Sequence, residues 1–474
     1  MFYFVKIYEA NYAKKMREVI KKLTPDAKPK IIGGEAMEKT EQDPKGEYLS
    51  SDLWYRAVMQ ENRGFVGKKL KNEIYEALLR EVPSLCSMLL ERTCNLACTH
   101  CIYQTEKSSK KASEQAGLTD LAVAAVREMP TKAQSVNDEG PKFIHEGRIL
   151  TKWHLDVFEA IKKARPDVKI GLIDNGTYVK YIDEFKHRGL QLDWLDVSVD
   201  GTETNHNRQR DPIHKTSFRE AIKGLERARE VVKSSKDGGR VSSLLTLTKI
   251  NYHDIEAVAE MLLTGSPGYE NGLVDKFSVT TLSPAREPNK LIELSPNFAS
   301  GDIQDFDVAW QQIRNIFARY NKDSEQVRFT VYRIQDIEKI TRTVGPKKFL
   351  EAVSNESGKD GVRVTVGEMI FTVDGVTVNY HPLSTWPNET LLIDGDGVNR
   401  VAYSAQYTLK ELQTGRSKSG EDVFKYSVNQ LDSDFSFPEQ YRKQATQWWK
   451  CFGETNLDKE ADFFRRLREM AVTK

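Results

Sequence analysis

From Val82 onward, short apolar runs alternate with amphipathic helical patterns, and a chain that repeats this unit has few folds open to it. The runs are SMLLE (Ser87–Glu91), KFIHE (Lys142–Glu146), VKIGLID (Val168–Asp174), WLDVSVD (Trp194–Asp200), VSSLLTLT (Val241–Thr248) and KFSVTTLS (Lys276–Ser283). Between them lie LTDLAVAAVREMP, with Thr119 as the expected N-cap, then WHLDVFEAIKKARP, VKYIDEFKHRG, FREAIKGLERAREVVK and DIEAVAEMLLTG. Six strands joined by five helices predict an α/β protein with a parallel sheet, because parallel neighbours need a crossover and a helix supplies it. In such sheets ligands gather at the carboxyl ends of the strands.

The stretch ERTCNLACTHCIYQ follows the first predicted strand and places Cys94, Cys98 and Cys101 within eight residues, although the 474 residues include only five cysteines. Thiols so close rarely reach disulfide geometry, and one of three would be left over, so a metal site fits better. The N-terminus lacks the residue order of a secretory leader, and no segment approaches the roughly 18 apolar residues that span a bilayer. A reducing, cytoplasmic setting without membrane contact is therefore expected, where sparse cysteine points to metal or redox chemistry. With 70 basic and 69 acidic residues, the formal charge of +1 forecasts no general binding to nucleic acid. Three thiolates suit three irons of a [4Fe–4S] cube and leave the fourth iron open to a small molecule, whereas electron-transfer clusters usually take four cysteines. Structural zinc would need a fourth ligand, such as His100 or a more distant histidine.

CNLACTHC after a strand resembles the signature of the radical S-adenosylmethionine (radical SAM) superfamily, and the resemblance runs from Val82 to about Ala285. It implies a partial (β/α)6 parallel barrel and one [4Fe–4S] cluster on Cys94, Cys98 and Cys101, with His100 where the family commonly has an aromatic residue. S-adenosylmethionine would chelate the open iron through its methionyl amino and carboxylate groups. An electron from an external donor such as flavodoxin or ferredoxin would then cleave the sulfonium, giving methionine and a 5′-deoxyadenosyl radical that abstracts a substrate hydrogen.

Further stretches fall in the family's order. FIHEGRIL ends the second strand where the family has a Gly-Gly-Glu-Pro turn for the methionyl ammonium, but His145, Glu146, Gly147 and Arg148 stand there, with Glu146 the substitute carboxylate. In LIDNGTYV, Asn175 belongs to the turn that approaches the nucleoside. VSVDGTETNHNRQR places Ser198, Asp200, Gly201, His206 and Arg210 at the spacing of the peptide-modifying branches, where the serine and arginine are associated with the methionyl carboxylate. A guanidinium suits that task because it grips a carboxylate through two hydrogen bonds; Arg208 is the competing candidate. Thr246, Thr248 and Asn251, after the fifth strand, are further candidates for the nucleoside.

Beyond residue 300 the alternation gives way to a helix (303–320), a helical run near 334–353, and GEMIFTVDGVTVNYH, where Asp374-Gly375 between alternating apolar residues predicts a hairpin. The expected organisation is an N-terminal extension with one long loop (1–80), a barrel core (81–300) and an α+β C-terminal region (301–474). The resemblance extends to the cysteine-rich SPASM and twitch extensions, in which a first cysteine follows an Asp-Gly hairpin. Tyr380 stands there instead and Cys451 is the sole cysteine beyond the core, so the expectation is a degenerate scaffold without auxiliary clusters, closing over the barrel with its aromatic residues Tyr380, Trp448 and Trp449. Without an internal electron acceptor, redox-neutral outcomes such as epimerisation, fragmentation or rearrangement gain weight, with Cys86, Cys451 or Tyr380 as candidate hydrogen donors. A peptide is the leading substrate; a sugar, aminoglycoside or nucleoside, or a non-catalytic zinc-binding interaction module, are the alternatives.

Overall fold

The computed structural model describes residues 50–59, 65–82, 84–89, 94–96, 98, 112–131, 140–146, 150–177, 179–211, 213–233, 239–264, 272–281, 303–322, 325–354, 362–365, 367–382, 384, 391–394 and 436–472. The strand and helix expected within the first 22 residues lie outside these. Two helices, α1 (Ser50–Met59) and α2 (Lys68–Arg80), precede strand β1 (Leu85–Leu89). Then follow α3 (Ala112–Glu128), β2 (Lys142–Glu146), α4 (Lys152–Ala164), β3 (Lys169–Asp174), α5 (Val179–His187), β4 (Trp194–Ser198), α6 (Glu203–Arg210) and α7 (Ser217–Lys233). Next come β5 (Arg240–Thr246), α8 (Ile255–Leu263), β6 (Lys276–Thr280), α9 (Ile303–Tyr320), β7 (Val327–Val331), α10 (Ile334–Val344) and α11 (Pro346–Ser354). The chain ends with β8 (Arg363–Thr365), β9 (Glu368–Val373), β10 (Val376–Tyr380), β11 (Leu391–Asp394), α12 (Phe437–Trp448), a π-helical turn (Trp449–Gly453) and α13 (Glu454–Val472).

One sheet holds all eleven strands in the order β11-β1-β2-β3-β4-β5-β6-β7-β10-β9-β8. Strands β1 to β7 are parallel and sequential, the arrangement of a partial α/β barrel. The sheet does not stop near residue 300: β7 extends it, β10 pairs with β7 in parallel, and β11 pairs with the opposite edge at β1. The hairpin forms as expected, with Asp374 at φ 56° and Gly375 at φ 75°, the left-handed pair that matches strand twist in a two-residue turn.

Each strand has a helix-covered face and an inner face. Phe143 of β2 meets Phe158 of α4 (ring centroids 6.4 Å) and Phe329 of β7 meets Trp310 of α9 (6.1 Å), which marks the covered side. In register with these lie Cys86, Ile170, Leu172, Leu195, Val197, Val241, Phe277 and Val279, all buried. The alternate positions include Ile144, Ile173, Trp194 and Leu244, but from β4 to β7 also Asp196, Ser198, Ser242, Lys276, Ser278, Thr280, Arg328 and Thr330, so that part of the inner face is polar where barrel interiors usually carry branched apolar side chains. Gly171 is part of that face because the Trp194 indole lies across it; a Cβ there would sit 1.9 Å from Trp194 Cε2.

One sequence expectation is corrected. Thr119 is not an N-cap: α3 begins at Ala112, and the Thr119 hydroxyl bonds back to the Gln115 carbonyl at 2.8 Å, as a mid-helix threonine can. The long loop expected in the N-terminal extension lies outside the described residues up to position 49, and the rest of the extension forms α1 and α2, which pack against the C-terminal helices. Ser50, at the start of α1, donates its N–H and hydroxyl to Glu81 at 2.5 Å each, while Arg468 of α13 caps the far end at the Val58 and Met59 carbonyls, 2.9 and 3.1 Å away. Carboxylate at the start and cation at the end both oppose the helix dipole. At the centre, buried Glu460 of α13 accepts Trp54 Nε1 at 2.7 Å, the Ser384 hydroxyl at 2.6 Å and the Tyr380 hydroxyl at 3.2 Å.

Burial raises the Glu460 and Glu81 carboxyls to about 7 from an ordinary value near 4.5, against hydrogen bonds that lower them. A raised folded value means that the folded protein keeps protons the unfolded chain releases, so this stability is complete below pH 4.5 and is lost as pH rises through 7. Glu460→Ala should cost about 2–4 kcal/mol in urea denaturation, since it strands three donors. Glu460→Gln should fold well and flatten the pH dependence between 4.5 and 7; an unchanged slope in that variant would show that Glu460 does not titrate there.

Candidate active site

The carboxyl ends of β1, β3, β4 and β5 converge. After β1, Cys94 and Cys98 are half-buried, whereas Cys101 and His100 lie outside the described residues. The Cys94 sulfur accepts the Leu96 N–H at 3.4 Å and Asn175 Nδ2 at 3.7 Å. Asn175 Nδ2 also donates to Asn95 Oδ1 at 3.0 Å, and Asn95 Nδ2 to the Thr177 hydroxyl at 3.0 Å, which ties the turn after β3 to the cysteine loop. Gly176 makes that turn possible: its φ is +83°, and a Cβ would meet the Ala221 backbone of α7 at 2.7 Å. Asn175 therefore faces the cysteine loop, a contact that a nucleoside-binding reading of the Asn-Gly turn does not anticipate.

The second half is built on Asp200, which has no solvent exposure. Its carboxylate accepts Arg210 Nε at 2.6 Å and the Thr246 N–H at 2.8 Å. Its own N–H donates to His206 Nδ1 at 3.1 Å, and its carbonyl accepts Gln209 Nε2 at 2.9 Å and Asn251 Nδ2 at 3.2 Å. Gly201 follows at φ +123°, leaving room for Asp254 Oδ2, which accepts the Thr202 N–H at 2.8 Å and anchors the start of α6. The Thr248 hydroxyl donates to Gln209 Oε1 at 2.6 Å, so Thr248 and Asn251, both fully buried, brace the network from β5. Asp200, His206 and Thr248 thus hold the turn, and Arg210 is the cation they position. Burial raises the Asp174 carboxyl to about 6, against the Gly176 and Asn175 N–H groups and the Arg210 charge. Arg208 is exposed on the same helix, while Ser198 is half-buried on the inner face.

Several candidates are placed elsewhere. His145 is on the helix-covered face, 4.4 Å from the His154 ring and bonded to the Met88 carbonyl at 3.2 Å; its side chain is part of the packing. Glu146 pairs with Ile173 in β3, and Gly147 and Arg148 lie outside the described residues. Cys86 is wholly buried among apolar side chains, which pushes its thiol up, and Tyr380 donates to Glu460 behind the sheet. Neither reaches the strand ends. Cys451 lies in the π-helical turn, beside Trp449, which stacks on Tyr75 of α2 at 5.9 Å. Among the described residues, Tyr380 meets Trp54 of α1 at 6.1 Å and Trp449 meets Tyr75 of α2, and the barrel edges are covered by β10 and β11. Short helix α6 was missed from sequence: its composition is polar throughout, and only the Thr202, Asn205 and Asp254 contacts explain it.

Residues 88–262 match a family model described as the Radical SAM superfamily. Over that stretch the chain is similar to the radical SAM enzymes. Members of this family bind a [4Fe–4S] cluster and S-adenosylmethionine. The donor set fits such a cluster: two N–H groups point at the Cys94 sulfur, as they do at sulfurs of redox clusters, where they stabilise the reduced form. Among the described residues no group of three or more His, Cys, Asp or Glu is arranged to hold a metal, and the third cysteine, Cys101, is outside them. No curated protein matches the chain. Among solved structures, SuiB of Streptococcus suis bound to its precursor peptide SuiA is 12% identical with a TM-score of 0.42, covering 96% of this chain and 84% of that one. The FeFe-hydrogenase maturase HydG of Carboxydothermus hydrogenoformans is 15% identical with a TM-score of 0.36, covering 72% of this chain and 71% of that one. No helix among the described residues is long and apolar enough to cross a membrane.

Removing the Asn175 donor should move the reconstituted cluster to a more negative reduction potential, because one fewer hydrogen bond reaches a ligand sulfur. Redox titration of Asn175→Leu followed by electron paramagnetic resonance reads this; a potential equal to the wild type's would mean that Asn175 only shapes the loop.

Proposed function

We propose that this radical SAM enzyme modifies a peptide by a redox-neutral reaction such as epimerisation, fragmentation or rearrangement. The observation that carries the reading is the Asp200–Arg210 pair, 2.6 Å apart at the end of β4 and one turn from Ser198. It gives a physical basis to the Ser198-to-Arg210 pattern, whose resemblance is to the peptide-modifying branches. With Nε committed to Asp200, the guanidinium is held in one orientation, suited to gripping the methionyl carboxylate together with the Ser198 hydroxyl. Cys94, Cys98 and Cys101 would hold the cluster, with Asn175 bracing the first of them. When bound, the cluster and S-adenosylmethionine supply a 5′-deoxyadenosyl radical that abstracts a substrate hydrogen. A one-electron donor of flavodoxin or ferredoxin type is required as partner. The redox-neutral outcome is favoured by composition: Cys451 is the sole cysteine after the barrel, too few for an auxiliary cluster that accepts an electron.

Cluster-reconstituted protein reduced with dithionite should convert S-adenosylmethionine into methionine and 5′-deoxyadenosine, and Cys94→Ala/Cys98→Ala/Cys101→Ala should not. Arg210→Ala should weaken S-adenosylmethionine binding by about 2–5 kcal/mol, the usual loss when one partner of a buried charge pair is truncated. Asp200→Asn should weaken it less, by loosening Arg210 without removing it. Unaltered affinity in Arg210→Ala, with the cluster intact by its absorbance, would overturn the assignment.

A further inference from the structure

The inner face of the sheet carries a cation that the site described above does not use. In register across four strands lie Ile173, Asp196, Ser242 and Lys276, and in the next row Ser198, Leu244, Ser278 and Arg328. Lys276 therefore stands one row deeper into the barrel than Ser198. Arg240 is on the same face, paired with Trp194, whose indole covers Gly171. Among the described residues no ion pair or hydrogen bond joins Lys276 to a partner, although it is half-buried. The acids nearby are shared with other groups. Glu368 already accepts Arg328 and Asn379 Nδ2 at 2.5 Å each, with His381 at 3.4 Å. Asp196 is half-buried, and desolvation raises its carboxyl against the pull of Arg240, the Ser242 hydroxyl, Lys276 and Arg328, so its charge is shared among several cations. For Lys276, burial together with repulsion from Arg328 and Arg240 lowers the ammonium, with Glu325 and Glu368 acting in the other direction. A half-buried ammonium beside two guanidinium groups is an unfavourable arrangement in isolation and a favourable one around an anion.

We propose that the inner face takes the substrate through a carboxylate, bound by Lys276 with Arg240 and Arg328 around it, below the position of Ser198. The proposal rests on the peptide reading above and narrows it to peptides that present a carboxylate, from an acidic side chain or from the C-terminus. The carboxylate would then fix how deep the substrate sits relative to the strand ends where hydrogen abstraction takes place.

The test uses full-length, cluster-reconstituted protein with S-adenosylmethionine and three probes, acetyl-Gly-Gly-Glu-Gly-Gly-amide, its Gln counterpart, and acetyl-Gly-Gly-Gly with a free carboxyl terminus, titrated calorimetrically. One of the two carboxylate peptides should bind at least about tenfold more tightly than the Gln peptide, as expected for a charge-matched site; which one tells side chain from terminus. Lys276→Met should erase that preference and Lys276→Arg should keep it, with Lys276→Gln as the neutral variant if the Met protein fails to melt cooperatively. Equal binding of all three probes, no binding at millimolar concentration, or a preference that survives both neutral variants would overturn the proposal. Cleavage of S-adenosylmethionine by the wild type is measured separately. Carboxylate preference without cleavage upholds the anion site and sinks the enzymatic reading; cleavage without preference does the reverse.

Discussion

A parallel sheet that stops short of a closed barrel leaves two strands with unpaired backbone groups, and this protein is organised around satisfying them. At one edge β11 pairs with β1, from Cys86 opposite Leu391 to Leu89 opposite Asp394. At the other edge β7 is followed by the β9–β10 hairpin, whose second strand runs parallel to it. The strands that finish the sheet therefore come from the C-terminal third of the chain, and the catalytic half cannot be edge-complete without them. This couples the C-terminal region to the barrel through main-chain pairing.

The same completion explains the position of α1 and α2. Once β10 joins the sheet, Tyr380 is driven to the covered side, where Trp54, Ser384 and Glu460 enclose it. A carboxyl with three donors in an apolar setting is stable as a unit and costly to break singly. It ties residues more than 400 positions apart, Trp54 and Glu460, to the hairpin strand. Tyr380, at the position where the SPASM resemblance expects a cluster cysteine, is a packing residue in this structure.

On the opposite face the alternation of strands has a different consequence. Seven parallel strands with apolar residues toward the helices leave their other residues pointing inward, and from β4 to β7 most of those are serines, threonines and charges. Ser198 and Arg210 sit near the rim, Asp196, Ser242 and Lys276 below. The geometry that fixes the cysteine loop at the rim also fixes the distance from that loop to the charged row, because both are set by register in the same sheet.

Much of this was legible in the residues. The six core strands, four of the five connecting helices to within a residue or two, the Asp374-Gly375 hairpin and the cysteine loop after β1 follow from local pattern, because period, turn chemistry and ligand spacing are properties of neighbouring residues. Thr119 misled, since a threonine before an apolar run reads as a cap and only the helix preceding it shows otherwise. β11 and α6 were not legible either: one is a four-residue strand without alternation, the other a polar helix held by Asp254 from a distant loop. His145 looked like a turn residue of the site until its ring was found against His154. Sequence alone determined the parallel α/β plan and the iron–sulfur chemistry, through short-range spacing. Only the tertiary structure decided that Asp200 orients Arg210, that Asn175 touches Cys94, and that Tyr380 belongs to the core, because each depends on which faces of separate strands meet, and register is a long-range property.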